Sequence, residues 1–426
     1  MTGGNKKEKY LFELIQVAVG NQSALSSVPT QQEWQQLYGL LSKHTLLGIG
    51  FVAIQKLPRE QWPPKMLVLK WTSVATAISH QNKTLNEECK SLCEEFRHDG
   101  VASVVIKGQS NLENYPEELR WYRTPGDIDL WCEARNGVEI GEMVNGEVVK
   151  SEFHGIAGVI EYCKQYERCR GRDIPWHRVL YYHCELKSDN GIAIEPHYRI
   201  SYLHSPIRNH RLQKWFNNQF DVCLKNKCQL GFPVLTSSVN VVYQLVHLYR
   251  HIFENGIGLR QLMDYYFALR VWHNDVMECK DLQSQGMWNE GLGTPVMSKE
   301  EVMAVLRSLG MAKFAGAVMW VLNEVFSMPT QLSINYERLR INDCPWLLCE
   351  PNEKEGKKLL EEIMKGGNFG QYDTRDAALK KGGMVKHGVW KLKRVMRLVR
   401  SYPEEALWEP LFRVYHLIWR TLLPHC

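Results

Sequence analysis

Asp127 and Asp129 stand one residue apart in the apolar segment RTPGDIDLW, residues 123–131. In a strand, residues i and i+2 project from one face, so the two carboxylates point together while Ile128 and Leu130 pack behind them. Like charges this close repel, and one of them neutralises unless a cation lies between. A divalent metal is the simplest remedy, and oxygen ligands favour Mg2+ or Mn2+. A third acid follows in GIAIEPHYRI, residues 191–200, where Ala193, Glu195 and His197 face away from Ile192 and Ile194. If that strand lies beside the aspartate strand, Asp127, Asp129 and Glu195 become one catalytic, metal-binding cluster. Such a cluster can hold two ions roughly 3.5–4 Å apart, the arrangement of in-line phosphoryl or nucleotidyl transfer. Pro196 restricts its strand to an edge or an irregular point of the sheet.

The phosphate end of such a reaction has candidates as well. VVIKGQS, residues 104–110, ends a strand at Gly108 and leads into a helix start. Glycine lets the backbone approach a phosphate, with backbone amides, Lys107 and Ser110 as donors. Arg123 either binds a triphosphate or pairs with a nearby acid. His197 is a substrate contact or a hydrogen-bonded structural histidine. Each of these residues also has a plainer reading: a Pro125-Gly126 turn with exposed acids, a solvated Glu195, a surface Lys107. His247 and His251 share a helix face at zinc-like spacing, but no HExxH glutamate accompanies them. The run KHGVWKLKRVMRLVR reads first as a packed helix with a solvated basic face, and second as a docking surface for an anionic partner.

The elements that must position these groups follow from the periodicity. Residues 6 to 96 are helical throughout, ending in a segment that opens with Pro63-Pro64 and stops at Gly100. Strand patterns then cluster between residues 101 and 201, including a hairpin signal at SDNG, residues 188–191. Helical patterns return from Ser237 onward. The expectation is an α+β fold, a small mixed sheet flanked by N-terminal and C-terminal helical regions, divided as 1–98, 99–235 and 236–426. Across 426 residues, 44% are hydrophobic and 23% charged, as in an ordinary globular protein with a sizeable core. No stretch reads as a signal peptide or transmembrane segment, and a cytoplasmic location is expected. The twelve cysteines form no CxxC pair and read as reduced thiols. A net charge of +5 permits a polyanionic partner without requiring one.

Taken in order, VVIKGQS, YPEELRWYRTPGDIDLW, IEPHY and GIGLRQLMDYY resemble the uncharacterised nucleotidyltransferase family of the DNA polymerase β-like superfamily, over roughly residues 30 to 270. The resemblance gives Gly108 the place of the first glycine, Asp127 and Asp129 that of the metal pair, and Glu195 that of the third acid. Gln109 stands where a second Gly or Ser is usual. The implied activity is Mg2+-dependent transfer of a nucleotide from an NTP, ATP foremost, to an acceptor that is a small molecule, RNA or protein. The resemblance also places His247 and His251 along the cleft with Arg260 and Asp264, and Arg260 among the nucleotide contacts. Asp264 has an alternative as a helix-surface acid bridged to Arg260. Two rival readings remain: a degenerate nucleotidyltransferase fold that only binds, and a nucleotide-sugar glycosyltransferase using Asp127 and Asp129. The second wants a parallel nucleotide-binding sheet ahead of the aspartates, where this chain has about a hundred residues of helical pattern.

Overall fold

Capping and prolines set the helices of the N-terminal region. Thr30 caps the helix Gln31–Lys43 and Glu33 reaches back to the Thr30 amide, a complete capping box. Pro63 and Pro64 precede the helix Lys65–His98, which turns out at Gly100 with φ +89°. Along it, Leu67, Trp71, Ala75, Ile78, Asn82, Leu85, Cys89, Leu92 and Phe96 are buried, one stripe at three- and four-residue spacing. This computed structural model describes residues 6–144, 147–284, 296–326, 346–375, 379 and 383–422. The class is α+β, as the patterning predicts: helices before and after a four-stranded mixed sheet, with a separate two-stranded sheet.

The chain divides into two compact units that interleave in sequence. One draws on residues 1–83, 112–124 and 247–391, the other on 84–111, 125–246 and 392–426. Three of the five divisions fall inside α-helices: Lys65–His98, Ser237–Glu254 and Met384–Leu398. In the first unit, the helices Leu259–Ser284 and Ala312–Phe326 bury long apolar stretches, with Tyr266 stacked on Phe326 at 4.5 Å. Gly48 is required here, since a Cβ at that position would lie 2.1 Å from the Tyr122 carbonyl oxygen.

The second unit holds the sheet, in the order β1-β2-β6-β5: β1 (Ala102–Ile106), β2 (Ile128–Glu133), β6 (Ala193–His197) and β5 (Leu186–Lys187). β1 runs antiparallel and β6 parallel to β2, and β5–β6 is the antiparallel hairpin that SDNG predicts. Ile128, Leu130, Cys132 and Ile194 face one core with Leu85, Cys89 and Phe96. On the other side of β2, Trp131 makes edge contacts with Phe216 and Phe220. The second sheet, β3 (Val138–Val144) with β4 (Glu147–Phe153), is not among the sequence expectations, although Asn145-Gly146 between its strands is a hairpin dipeptide.

The described cysteines are all free, and burial pushes the thiols of Cys89, Cys132 and Cys163 well up, as befits inert core residues. Among the described residues no helix is long and apolar enough to cross a membrane. In the basic helix Met384–Leu398, Trp390, Arg394 and Val395 are buried, while Lys393 and Arg397 are exposed beside Leu392 and Met396.

Candidate functional site

Register brings the acids together. Asp129 pairs with Ile106 of β1 on one side and with Glu195 of β6 on the other. Strand alternation then puts the Asp129 and Glu195 carboxyls on one face and Ile128, Leu130 and Ile194 on the core face. Asp127, just before β2, completes a group in which one carboxylate oxygen from each acid lies within 4.8 Å of those of the other two. Asp127 is exposed, Glu195 half-buried and Asp129 only 2% exposed. Pro196 occupies the irregular point that proline demands. Its carbonyl accepts from the Cys184 amide at 3.1 Å, and the return bond it cannot donate lies just beyond Leu186, where the β5 ladder stops.

A lysine and a histidine hold the buried member. Lys107 Nζ pairs with Asp129 Oδ1, and His197 Nε2 lies 2.9 Å from the same oxygen and 3.4 Å from Glu195 Oε2. Burial opposes the Lys107 charge, but Asp129 together with Tyr243, Glu195 and Asp127 more than offsets it and holds its pKa well above the ordinary value. Repulsion from Asp129, then burial, then Glu195 push Asp127 up to about 7. Because Asp127 is open to solvent, repulsion is the leading cause and burial the lesser one. Burial also pushes Glu195 up, yet His197 and Lys107 outweigh it, so its carboxyl lies well below the usual range. The negative charge that one lysine fails to balance is therefore relieved at Asp127, the solvent-facing member, which takes up a proton.

The turn after β1 is built differently from a plain glycine loop. The left-handed residue is Lys107, with φ +55°, and a Cβ on Gly108 would make only ordinary contact, 3.5 Å from the Asp127 carbonyl oxygen. Ser110 Oγ donates to the Lys107 carbonyl at 2.8 Å. Gln109 is buried and its amide donates to Asn86 Oδ1 at 2.7 Å, so it anchors the turn to the long helix. Asn240 and Gln244 both donate to Asn111 Oδ1, fixing the end of the same turn.

Arg123 lies in the first unit, buried and engaged by an acid. Its Nε and Nη2 donate to the two oxygens of Asp264 at 2.7 and 2.8 Å, and Tyr115 Oη adds a third bond at 2.6 Å. Of the two readings of Arg123, the structure displays the ion pair. Asp264 is accordingly a buried partner of Arg123, whereas Arg260 Nη1 donates to the Thr124 carbonyl at 2.9 Å. His247 and His251 do share a face, their rings 4.3 Å apart, but among the described residues no third ligand forms a metal-sized group with them.

The family described as "Uncharacterised nucleotidyltransferase" matches residues 30–286, which takes in β1, the acid pair, β6 and the Arg123–Asp264 pair. The chain belongs to this uncharacterised nucleotidyltransferase family. No curated protein and no solved structure matches it. Membership carries a general nucleotidyltransferase role, with a nucleoside triphosphate as the substrate class.

These side chains bear on the divalent ion that nucleotidyltransferases commonly use. Three carboxylates within 4.8 Å are hard oxygen donors, and Asp127, kept protonated up to about pH 7, marks an excess of negative charge that a cation relieves. The donor set fits Mg2+ or Mn2+. The residue that sequence reasoning missed is His183, which is buried with Nδ1 3.7 Å from Glu195 Oε2. Its signal lay in the hairpin: counted back across SDNG, His183 falls opposite His197.

Proposed function

We propose that the protein transfers a nucleoside monophosphate from an NTP to an acceptor, with Asp127, Asp129 and Glu195 holding Mg2+ or Mn2+. One observation carries this reading: in a nucleotidyltransferase-family chain, the three acids singled out by the sequence converge on adjacent strand ends with a single lysine to balance them. When bound, two ions would acidify the acceptor hydroxyl and neutralise charge on the pyrophosphate leaving group. The acceptor hydroxyl gives its proton to solvent water and its oxygen bonds to the α-phosphorus, the bond from the α-phosphorus to the β-phosphate oxygen breaks, and pyrophosphate departs. Asp127 and Asp129 would hold the ions together with Glu195. Glu195, held below the usual carboxylate range, is a weak base, so its role is to complete one site and orient the acceptor. Lys107, the backbone at Gly108 and Ser110 face the triphosphate in this proposal, whereas His197, fully buried, is assigned to holding Asp129 and Glu195. The Arg123 guanidinium, whose fork Asp264 occupies, is assigned to the fold instead. Arg260 is retained as a nucleotide contact in this proposal.

The test is calorimetry of Mg2+-dependent NTP binding, beginning with ATP, for wild type and an Asp127→Asn/Asp129→Asn double variant. Binding that needs both the metal and the aspartates supports the reading, and equal binding by both proteins sinks it. The Lys107–Asp129 pair favours one other reading, a nucleotide-binding module whose own lysine permanently fills a cation position. Pyrophosphate release separates the two, because only transfer produces it.

A further inference from the structure

Two imidazoles converge on Glu195. His183 and His197 face each other as an isolated antiparallel bridge, so their side chains leave the same side of the sheet. Both are buried, at 2% and 0% exposure, and their ring centroids are 4.9 Å apart. His183 Nδ1 lies 3.7 Å and His197 Nε2 3.4 Å from one atom, Glu195 Oε2. Those separations exceed the range of about 2.7–3.2 Å for a strong N–H···O bond. They sit close to the spacing of two atoms bound to one tetrahedral ion, since bonds of about 2.0–2.1 Å put co-ligands about 3.3–3.4 Å apart. The ligand atoms of all three side chains fall within 4.8 Å of one another.

We propose that His183, Glu195 and His197 form a second metal site, for a borderline-soft divalent transition ion such as Zn2+. Two neutral imidazoles and one carboxylate are a nitrogen-rich donor set that favours Zn2+ and disfavours the hard Mg2+ assigned to the carboxylate cluster. The two sites share Glu195 alone. Glu195 retains 22% side-chain exposure, which gives an ion a way in past two buried rings and leaves a coordination position facing solvent. Ligation at His197 Nε2 replaces its 2.9 Å hydrogen bond to Asp129, leaving Asp129 to Lys107. The site stands without the nucleotidyl-transfer reading.

The experiment titrates metal-free full-length protein with Zn2+, and with Co2+ as a visible-absorption reporter, in millimolar Mg2+. One Zn2+ per chain that Mg2+ does not displace is expected. His183→Gln should weaken it by at least about 100-fold, more than loss of a supporting outer-shell group costs. His183→Cys, which restores a zinc ligand, should recover binding. Melting each variant with and without Zn2+ checks folding, and the Zn2+-induced rise in Tm should vanish only in His183→Gln. Equal Zn2+ affinity in wild type and His183→Gln overturns the site, as does a wild type with no Mg2+-resistant Zn2+ binding. Neither readout involves nucleotide, so the Asp127→Asn/Asp129→Asn calorimetry judges the transfer reading separately.

Discussion

Two clusters of charge, one in each unit, obey opposite accounting. In the first unit, Asp264 receives both arms of the Arg123 guanidinium and the Tyr115 hydroxyl, one anion to one cation with both carboxylate oxygens bonded. Burial opposes the Arg123 charge, but Asp264 more than offsets it, and burial with Asp264 pushes the Tyr115 hydroxyl well up. In the second unit, three carboxylates share one lysine, and Asp127 is driven up to about 7 by its neighbours. A balanced buried pair anchors a fold, because removing either partner strands a charge. An unbalanced cluster stores a deficit that a ligand can fill, which is why perturbed acids gather at functional sites.

The contrast can be broken by mutation. In the unbalanced cluster, Asp127→Asn or Asp129→Asn should lower transfer by about a thousandfold, measured as pyrophosphate release, since charge that stabilises the transition state is lost. Asp127→Asn should leave metal-free stability unchanged or higher, because it removes a repulsion. Asp264→Ala should do the reverse, destabilising the protein by about 3–5 kcal/mol in urea unfolding with no rescue by Mg2+, as Arg123 is left buried and unpaired. Lys107→Met lies between them, with an expected loss of about 2–3 kcal/mol that Mg2+ largely restores, because an ion can replace the missing ammonium. If Mg2+ rescues Asp264→Ala as well as Lys107→Met, the distinction between the clusters fails.

The smallest effect sharpens the comparison through pH. Asp127 is raised in the folded state, so the folded protein holds a proton that the unfolded chain has already released between the ordinary carboxylate range and about pH 7. Metal-free stability from this group is therefore full at acid pH and declines as pH rises through about 7. Metal binding runs the opposite way, strengthening over that window because the ligand must lose its proton. Calorimetry in two buffers of different ionisation enthalpy should detect proton release on Mg2+ binding below pH 7, and little above it. Asp127→Asn should abolish that release.

How much was legible varied with how local each signal is. Asp127, Asp129 and Glu195 were readable because strand alternation and a short hairpin are near-neighbour effects, and the β2–β6 register brings the three together. Arg123 was ambiguous because its choice between phosphate and acid depends on Asp264, far along the chain and buried on another helix. The β3–β4 sheet is weakly marked in the sequence beyond its turn dipeptide, since Val138 and Ile140 are buried while Glu139, Gly141, Lys150, Ser151 and Glu152 are exposed. The left-handed backbone at Lys107 was not legible, because positive φ in a non-glycine residue leaves no mark in the sequence.

By itself the sequence determined the α+β class, the acid-x-acid strand with its apolar reverse face, the hairpin carrying Glu195, and the family, all set by periodicity, turn chemistry and residue order over short spans. The tertiary structure decided which charges are matched. It gave Asp264 to Arg123, Lys107 to Asp129, and set His183 opposite His197 on one glutamate oxygen. Pairing of that kind depends on distances between residues remote in the chain, and only folding brings those residues close enough for charge to count.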